Sequence, residues 1–248
     1  MRNRPRVGIS RCLLGDAVRY DGGHKRDSCL VEALGPYVEW VSVCPEVEVG
    51  MGTPREPIHL VTAADRVTWG EASVRLIGVR SGADWTEAMR EWSRRRVREL
   101  GRLNLCGYVL KADSPSCGLR EVRVTDGPNV TRTGRGLFAQ ALVDGIPNLP
   151  VDEETRLQDP FERENFIARV SGYQRLRAFF GGGWTVTDLV AFHAEQAPQL
   201  LSYSRAAHNA LGQLVADATL VGRQELVARY ERVFMSALGN TDPGTGDI

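Results

Sequence analysis

The chain has 248 residues, 42% of them hydrophobic and 25% charged, with 31 basic and 31 acidic side chains that cancel to a net charge of zero. This is the composition of a globular protein large enough to bury a core without disulfide staples, and it carries no overall electrostatic footprint for nucleic acid. The opening Met1-Arg-Asn-Arg-Pro-Arg lacks the apolar stretch of a signal peptide, no window is long enough to span a bilayer, and the expected compartment is the cytoplasm.

The first part alternates strand-like and helix-like segments. Val7 to Ser10 is a short apolar run, Ser28 to Leu34 reads as helix, and Tyr37 to Val43 is β-branched and aromatic. Ser73 to Arg80 alternates as a strand does. Trp85 to Leu103 is a long Arg/Glu-rich helix whose Trp85, Met89, Trp92, Arg96 and Leu100 follow helical spacing, with Asp84 as its expected N-cap. Cys106 to Lys111 reads as a buried strand. This order predicts an α/β fold with a mainly parallel, Rossmann-like sheet.

Residues 145–160 are Pro-containing and acidic and mark a connection, dividing the chain into domains 1–150 and 151–248. Beyond it the pattern predicts a smaller all-α domain. Phe161 to Phe180 is one helix, stopped by Gly181-Gly182-Gly183. A second is capped by Asp188 and interrupted by Pro198, and Leu211 to Ala218 and Glu225 to Leu238 continue the series. The tail Gly239 to Ile248 is expected to fray.

Five cysteines, an odd number, argue against a disulfide framework. Cys12, Cys44 and Cys117 each follow an apolar run, and segments leaving the carboxyl ends of parallel strands converge on one crevice. Three converging thiols suit a metal or cluster with one open corner, although free cysteine is also a common buried residue. Cys29 and Cys106 read as packing residues, with Cys29 the reserve fourth ligand. Glu46, two residues past Cys44, is placed for proton transfer, and Ser114 and Ser116 lie just before Cys117. Arg55, in a Gly/Pro-rich loop, is available for an anion or a base edge. None of the four histidines has metal-ligand spacing, and no nucleotide fingerprint is present.

Four blocks now carry a resemblance: Val7-Gly-Ile-Ser-Arg-Cys-Leu-Leu-Gly, Val18-Arg-Tyr-Asp-Gly-Gly-His-Lys, Val43-Cys-Pro-Glu-Val-Glu-Val-Gly-Met-Gly-Thr-Pro-Arg-Glu-Pro and Leu110-Lys-Ala-Asp-Ser-Pro-Ser-Cys-Gly. Together they resemble the bacterial thiouracil desulfidase family. The resemblance implies a [4Fe-4S] cluster held by Cys12, Cys44 and Cys117. It implies hydrolytic removal of a thiocarbonyl sulfur, with acid/base work by Glu46 and a substrate or water contact by Ser114, which make the expected catalytic pair. Arg55, Ser116 and Asp21 are the expected substrate contacts. The second part resembles the helical domain of tRNA thiouridine desulfidases through Arg163-Glu-Asn-Phe-Ile-Ala-Arg-Val, Leu189-Val-Ala-Phe-His193 and Leu211-Gly-Gln-Leu-Val-Ala, and it reads as shortened. Thiolated tRNA is therefore the first expected substrate and free thiouracil the second. Arg90, Arg94, Arg98 and Arg102, or Arg163, Arg169, Arg175 and Arg177, are expected along RNA phosphates. A non-enzymatic metal or cluster sensor, or an RNA-binding module, is the third reading.

Overall fold

The computed structural model describes residues 4–62 and 74–239. The start of the Ser73–Arg80 segment and the tail beyond Gly239 lie outside the described residues. The chain divides into two compact units, Met1–Gln158 and Asp159–Ile248, so the division falls later than the 150/151 boundary expected from sequence.

The first unit is an α/β fold built on a four-stranded, wholly parallel sheet ordered β2-β1-β5-β8. Its strands are β1 (Arg6–Ser10), β2 (Glu39–Val43), β5 (Leu105–Leu110) and β8 (Val151–Glu153). Strand β5 is buried along its whole length, as a central parallel strand with both faces covered should be. Helix α1 (Ser28–Leu34) links β1 to β2, and its cap Asp27 accepts the Leu30 N–H. Helix α3 (Thr86–Arg102) buries Met89, Trp92, Val97 and Leu100. It packs through Trp92 on Phe138 of α4 (Leu137–Gly145), which in turn meets the edge of the Tyr108 ring. Asp84 does not cap α3 directly. Trp85 occupies the cap position, and Asp84 braces the first turn by accepting from Thr86 N and Oγ1.

Two findings depart from the sequence reading. A second four-stranded sheet, β4-β3-β6-β7, is present and mostly antiparallel; it is formed by β3 (Ile58–Thr62), β4 (Val74–Gly78), β6 (Val122–Asp126) and β7 (Asn129–Gly134). The strand expected near Ser73–Arg80 belongs to this sheet. The 145–160 segment is also more than a connection, because it contains β8, paired parallel to β5 with Leu110 opposite Glu153.

The second unit is all-helical: α5 (Pro160–Phe180), α6 (Val186–Tyr203), α7 (Arg205–Ala216) and α8 (Arg223–Gly239). Asp159 caps α5 by accepting from Phe161 N and Glu162 N, with Pro160 at the first helical position, where no donor is lost. Thr185 caps α6, and Asp188 is its capping-box partner rather than the cap itself. Pro198 does not interrupt α6, which runs through it to Tyr203. The core stacks Phe179 on Phe192 at 4.3 Å between ring centroids and buries Leu176, Leu189, Leu211, Tyr230 and Phe234. No helix among the described residues is long and apolar enough to cross a membrane.

Candidate cysteine-lined active site

Sheet register gathers the cysteines. Ser10 lies opposite Val43, Ile9 opposite Val109, and Leu110 opposite Glu153, so β1, β2, β5 and β8 end at one level. Cys12, Cys44 and Cys117 sit in the segments that leave this carboxyl edge. Cys12 lies in a 3-10 turn, Arg11–Leu14, closed by Gly15 at φ 104°, a conformation that favours glycine; the Cys12 carbonyl accepts from Gly15 N and Lys25 N. Cys44 caps the short α2 (Pro45–Glu48), and its N–H donates to Glu48 Oε1 at 3.1 Å. Cys117 lies in a turn in which Ser114 Oγ accepts from Cys117 N at 3.1 Å and Ser116 N at 3.4 Å. Gly136 lets a neighbouring segment press on this turn, since a Cβ there would stand 2.4 Å from the Ser116 carbonyl group. The Ser10 hydroxyl accepts from Lys111 N at 2.9 Å and stitches the β1 and β5 exits together.

These exits wall a cavity of about 230 Å³ whose lining includes Cys12, Cys44, Cys117, Glu46, Ser114, Ser116 and Arg55. Burial pushes the Cys12 thiol up to about 11, aided by the neighbouring Cys44, while Lys111 and Arg19 oppose the rise. Burial likewise raises Cys44 and lifts Cys117 well above the usual thiol range, where Glu46, Cys44 and Cys12 add repulsion. Three desolvated thiols that disfavour one another's thiolates need a cation to become charged together, and metal coordination supplies it. Among the described residues, no group of three or more His, Cys, Asp or Glu side chains is set to hold a metal ion. The chemistry of the donors, three thiols on one cavity wall, fits an iron–sulfur cluster, which Cys12, Cys44 and Cys117 would hold.

Beside the thiols runs a hydrogen-bonded chain. Ser116 Oγ donates to Glu46 Oε1 at 2.6 Å and stands 3.1 Å from Ser114 Oγ. Arg55 grips Glu46 Oε2 through Nη2 and through Nε at 3.0 Å, and its Nη1 donates to the carbonyls of Gly52 and Val18.

Residues 7–154 match the sequence model of the 2-thiouracil desulfurase family, a span that holds all three cysteines and Glu46. The chain belongs to that family. It is also similar to two known proteins. The uncharacterized protein YbbK of Bacillus subtilis (strain 168) is 33% identical over 111 residues, 44% of this chain and 71% of that protein. The solved [4Fe-4S]-dependent thiouracil desulfidase TudS is 30% identical, with a TM-score of 0.48, over 62% of this chain and 93% of the other. In this desulfurase, most residues marked from sequence line the cavity, but two stand apart from their expected tasks. Arg55 lines it with its donors engaged by Glu46 and backbone carbonyls, so it orients the carboxylate. Asp21 is not in the lining; its side chain accepts from Gly23 N at 3.0 Å and closes its own exposed turn. Cys29 and Cys106 do not line the cavity either, and Cys29 is exposed on α1 rather than packed. Sequence reading passed over Lys111, Arg19, Ser10 and Glu48. All four lie inside the matching blocks, and Lys111 is one of only two lysines in the chain.

Proposed function

We propose that this desulfurase holds a [4Fe-4S] cluster on Cys12, Cys44 and Cys117 and removes sulfur from a thiolated uracil base carried in tRNA. The observation that carries the chemistry is the shared wall: the half-buried Cys12, the buried Cys44 and Cys117 and the Ser114–Ser116–Glu46 chain line one cavity at the sheet's carboxyl edge. The [4Fe-4S] dependence named for TudS supports the cofactor, and the family name supports the base. When bound, the cluster supplies a thiophilic Lewis acid that polarises the C=S bond and stabilises departing sulfide.

The chain's own groups supply the proton steps. Arg55 holds one oxygen of Glu46, leaving Oε1 to face Ser116 and the cavity. A water that adds to the thiocarbonyl carbon gives up its proton to Glu46, directly or through Ser114 and Ser116. Each hydroxyl passes one proton and receives another, so neither ends charged. The C–S bond breaks, a C=O bond forms, and sulfur leaves as hydrogen sulfide. Water supplies the oxygen and both protons, and no electrons are exchanged.

The RNA assignment draws on the likeness of the helical unit to that of tRNA thiouridine desulfidases and on the exposed Arg94, Arg98 and Arg102 of α3. Not every arginine in the expected set points that way. Arg175 is drawn inward to Gln196 and Gln199, and burial lowers its pKa; Arg169 donates to Asn165 and lies over the Phe166 ring. The second reading is turnover of free thiouracil, favoured by the substrate in the name of TudS. The test is anaerobic reconstitution followed by sulfide release from thiolated tRNA and from free thiouracil. Release from the free base alone rejects the tRNA assignment; colourless protein that binds zinc and releases sulfide from neither rejects the enzyme reading.

A further inference from the structure

We infer that β8 is a clamp on the Cys117 loop, with Glu153 and Glu154 as positioning residues that fasten its two ends and so fix where Cys117 and Ser116 stand. The inference rests on the reading of Cys117 as a cluster ligand. Val151-Asp152-Glu153 is a poor strand sequence, because acidic residues are depleted from strands. Burying consecutive carboxylates is costly unless each is paired. Yet Asp152, Glu153 and Glu154 are 0%, 5% and 6% exposed. Pairing with β5 alone would be met by any apolar strand, so the acidic residues answer to something else.

What they answer to is the segment Lys111–Arg120. At its start, Glu154 spreads both oxygens: Oε1 accepts from Lys111 Nζ at 2.5 Å and Oε2 from Ala112 N at 2.7 Å. At its end, Glu153 uses one oxygen twice, Oε1 accepting from Leu119 N at 2.7 Å and Arg120 N at 3.3 Å. Asp152 takes the Arg120 guanidinium at 3.0 Å. Ser114, Ser116 and Cys117 all lie between these fastenings, and Gly136 presses the middle of the loop from another side. A ligand is only as well placed as the groups that hold it, and disturbing such outer partners costs metal sites about 10–100-fold in affinity.

The two glutamates use their oxygens differently, which yields an asymmetric test. Glu153→Gln keeps the one oxygen that works and should behave as the parent. Glu154→Gln must set an NH2 against either the Lys111 ammonium or the Ala112 N–H, so one fastening is lost. Full-length protein is reconstituted anaerobically, its visible absorption and iron and sulfide per chain are measured, and loss of iron to an added chelator is timed. We expect Glu154→Gln and Glu153→Ala to lose iron at least about tenfold faster than the parent, and Glu153→Gln to stay within about twofold. Hydrogen exchange on the apo parent supplies a measurement that needs no variant: the amides of Ala112, Leu119 and Arg120 should be protected. Equal iron loss from Glu154→Gln and parent, both with native-like circular dichroism, overturns the clamp. So do unprotected amides, even where a variant does not fold. A parent that takes up no iron removes the cluster reading instead, and the exchange result still decides the clamp.

Discussion

Replacing Glu46 with Gln separates the proton-transfer role from a purely structural one. The Glu46 side chain is 14% exposed and that of Arg55 6%, so the pair is mostly buried. Breaking a buried pair costs about 3–5 kcal/mol when one charge is left stranded. Here Gln keeps an oxygen that can accept from one partner, and Gly52 and Val18 still take Arg55 Nη1, so about 2 kcal/mol is expected. For a unit of this size that lowers Tm by about 4–8 °C. The activity should fall far more, by about 10²–10⁴ in kcat, the usual worth of a positioned acid–base group. Iron content should change little, because Gln keeps an oxygen for the Ser116 hydroxyl and the Glu153 and Glu154 fastenings of the Cys117 loop do not run through Glu46. The assay is anaerobic sulfide release at saturating substrate, using whichever of thiolated tRNA and free thiouracil the parent turns over, normalised to iron per chain. Arg55→Lys is the companion: lysine can reach one Glu46 oxygen but not the two carbonyls as well, so kcat falls with KM little changed. Sulfide release from Glu46→Gln within threefold of the parent at equal iron would falsify the proton-transfer role. A raised KM with unchanged kcat in Arg55→Lys would return Arg55 to the substrate.

Three further expectations follow from packing and charge. Gly136→Ala places a methyl against the Ser116 carbonyl with no flexible side chain to yield, which should cost about 1–3 kcal/mol and slow iron uptake; unchanged uptake and Tm would show that the turn gives way freely. Burial, helped by the neighbouring His208, lowers the pKa of His193, whose Nδ1 lies 3.1 Å from Tyr230 OH. A depressed folded pKa means that the unfolded chain takes up the proton first, so this stabilisation is complete above the unfolded value of about 6.5 and is lost as pH falls below it. The helical unit should therefore melt lower at pH 5 than at pH 7.5, and an equal shift in His193→Asn would disconnect the effect from that ring. Pro198→Ala should raise the stability of the helical unit by about 1–2 kcal/mol by restoring a donor inside α6, and a lower melting temperature would mean that the proline ring is packed to advantage.

The legible part of this protein was the part written in periodic runs. α1 and β5 fall close to their expected places, and the helical unit follows its apolar stripe and caps. The second sheet was missed because its signal is short. Val122 and Val124 are buried with Arg123 exposed between them, and a Gly127-Pro128 loop with Gly127 at φ 56° closes the hairpin onto β7. That alternation was present, yet β7 is exposed along most of its length and offers no apolar pattern to confirm it. Pro198 misled for the opposite reason: a local rule was applied where eighteen residues of amphipathic helix, α6, outweigh one lost hydrogen bond.

β8 shows where sequence reading fails in principle. Strand propensity and burial statistics both assign Asp152, Glu153 and Glu154 to a solvated turn, and both are right about isolated carboxylates. These three are buried because their partners are backbone N–H groups and cations delivered by a loop 32 to 43 residues earlier, which no local window contains. A run that violates its local preference was the signal. The cysteines could be found from their flanking runs, because each sits just past an apolar segment. What holds Cys117 in place could be found only after the chain had been folded around it.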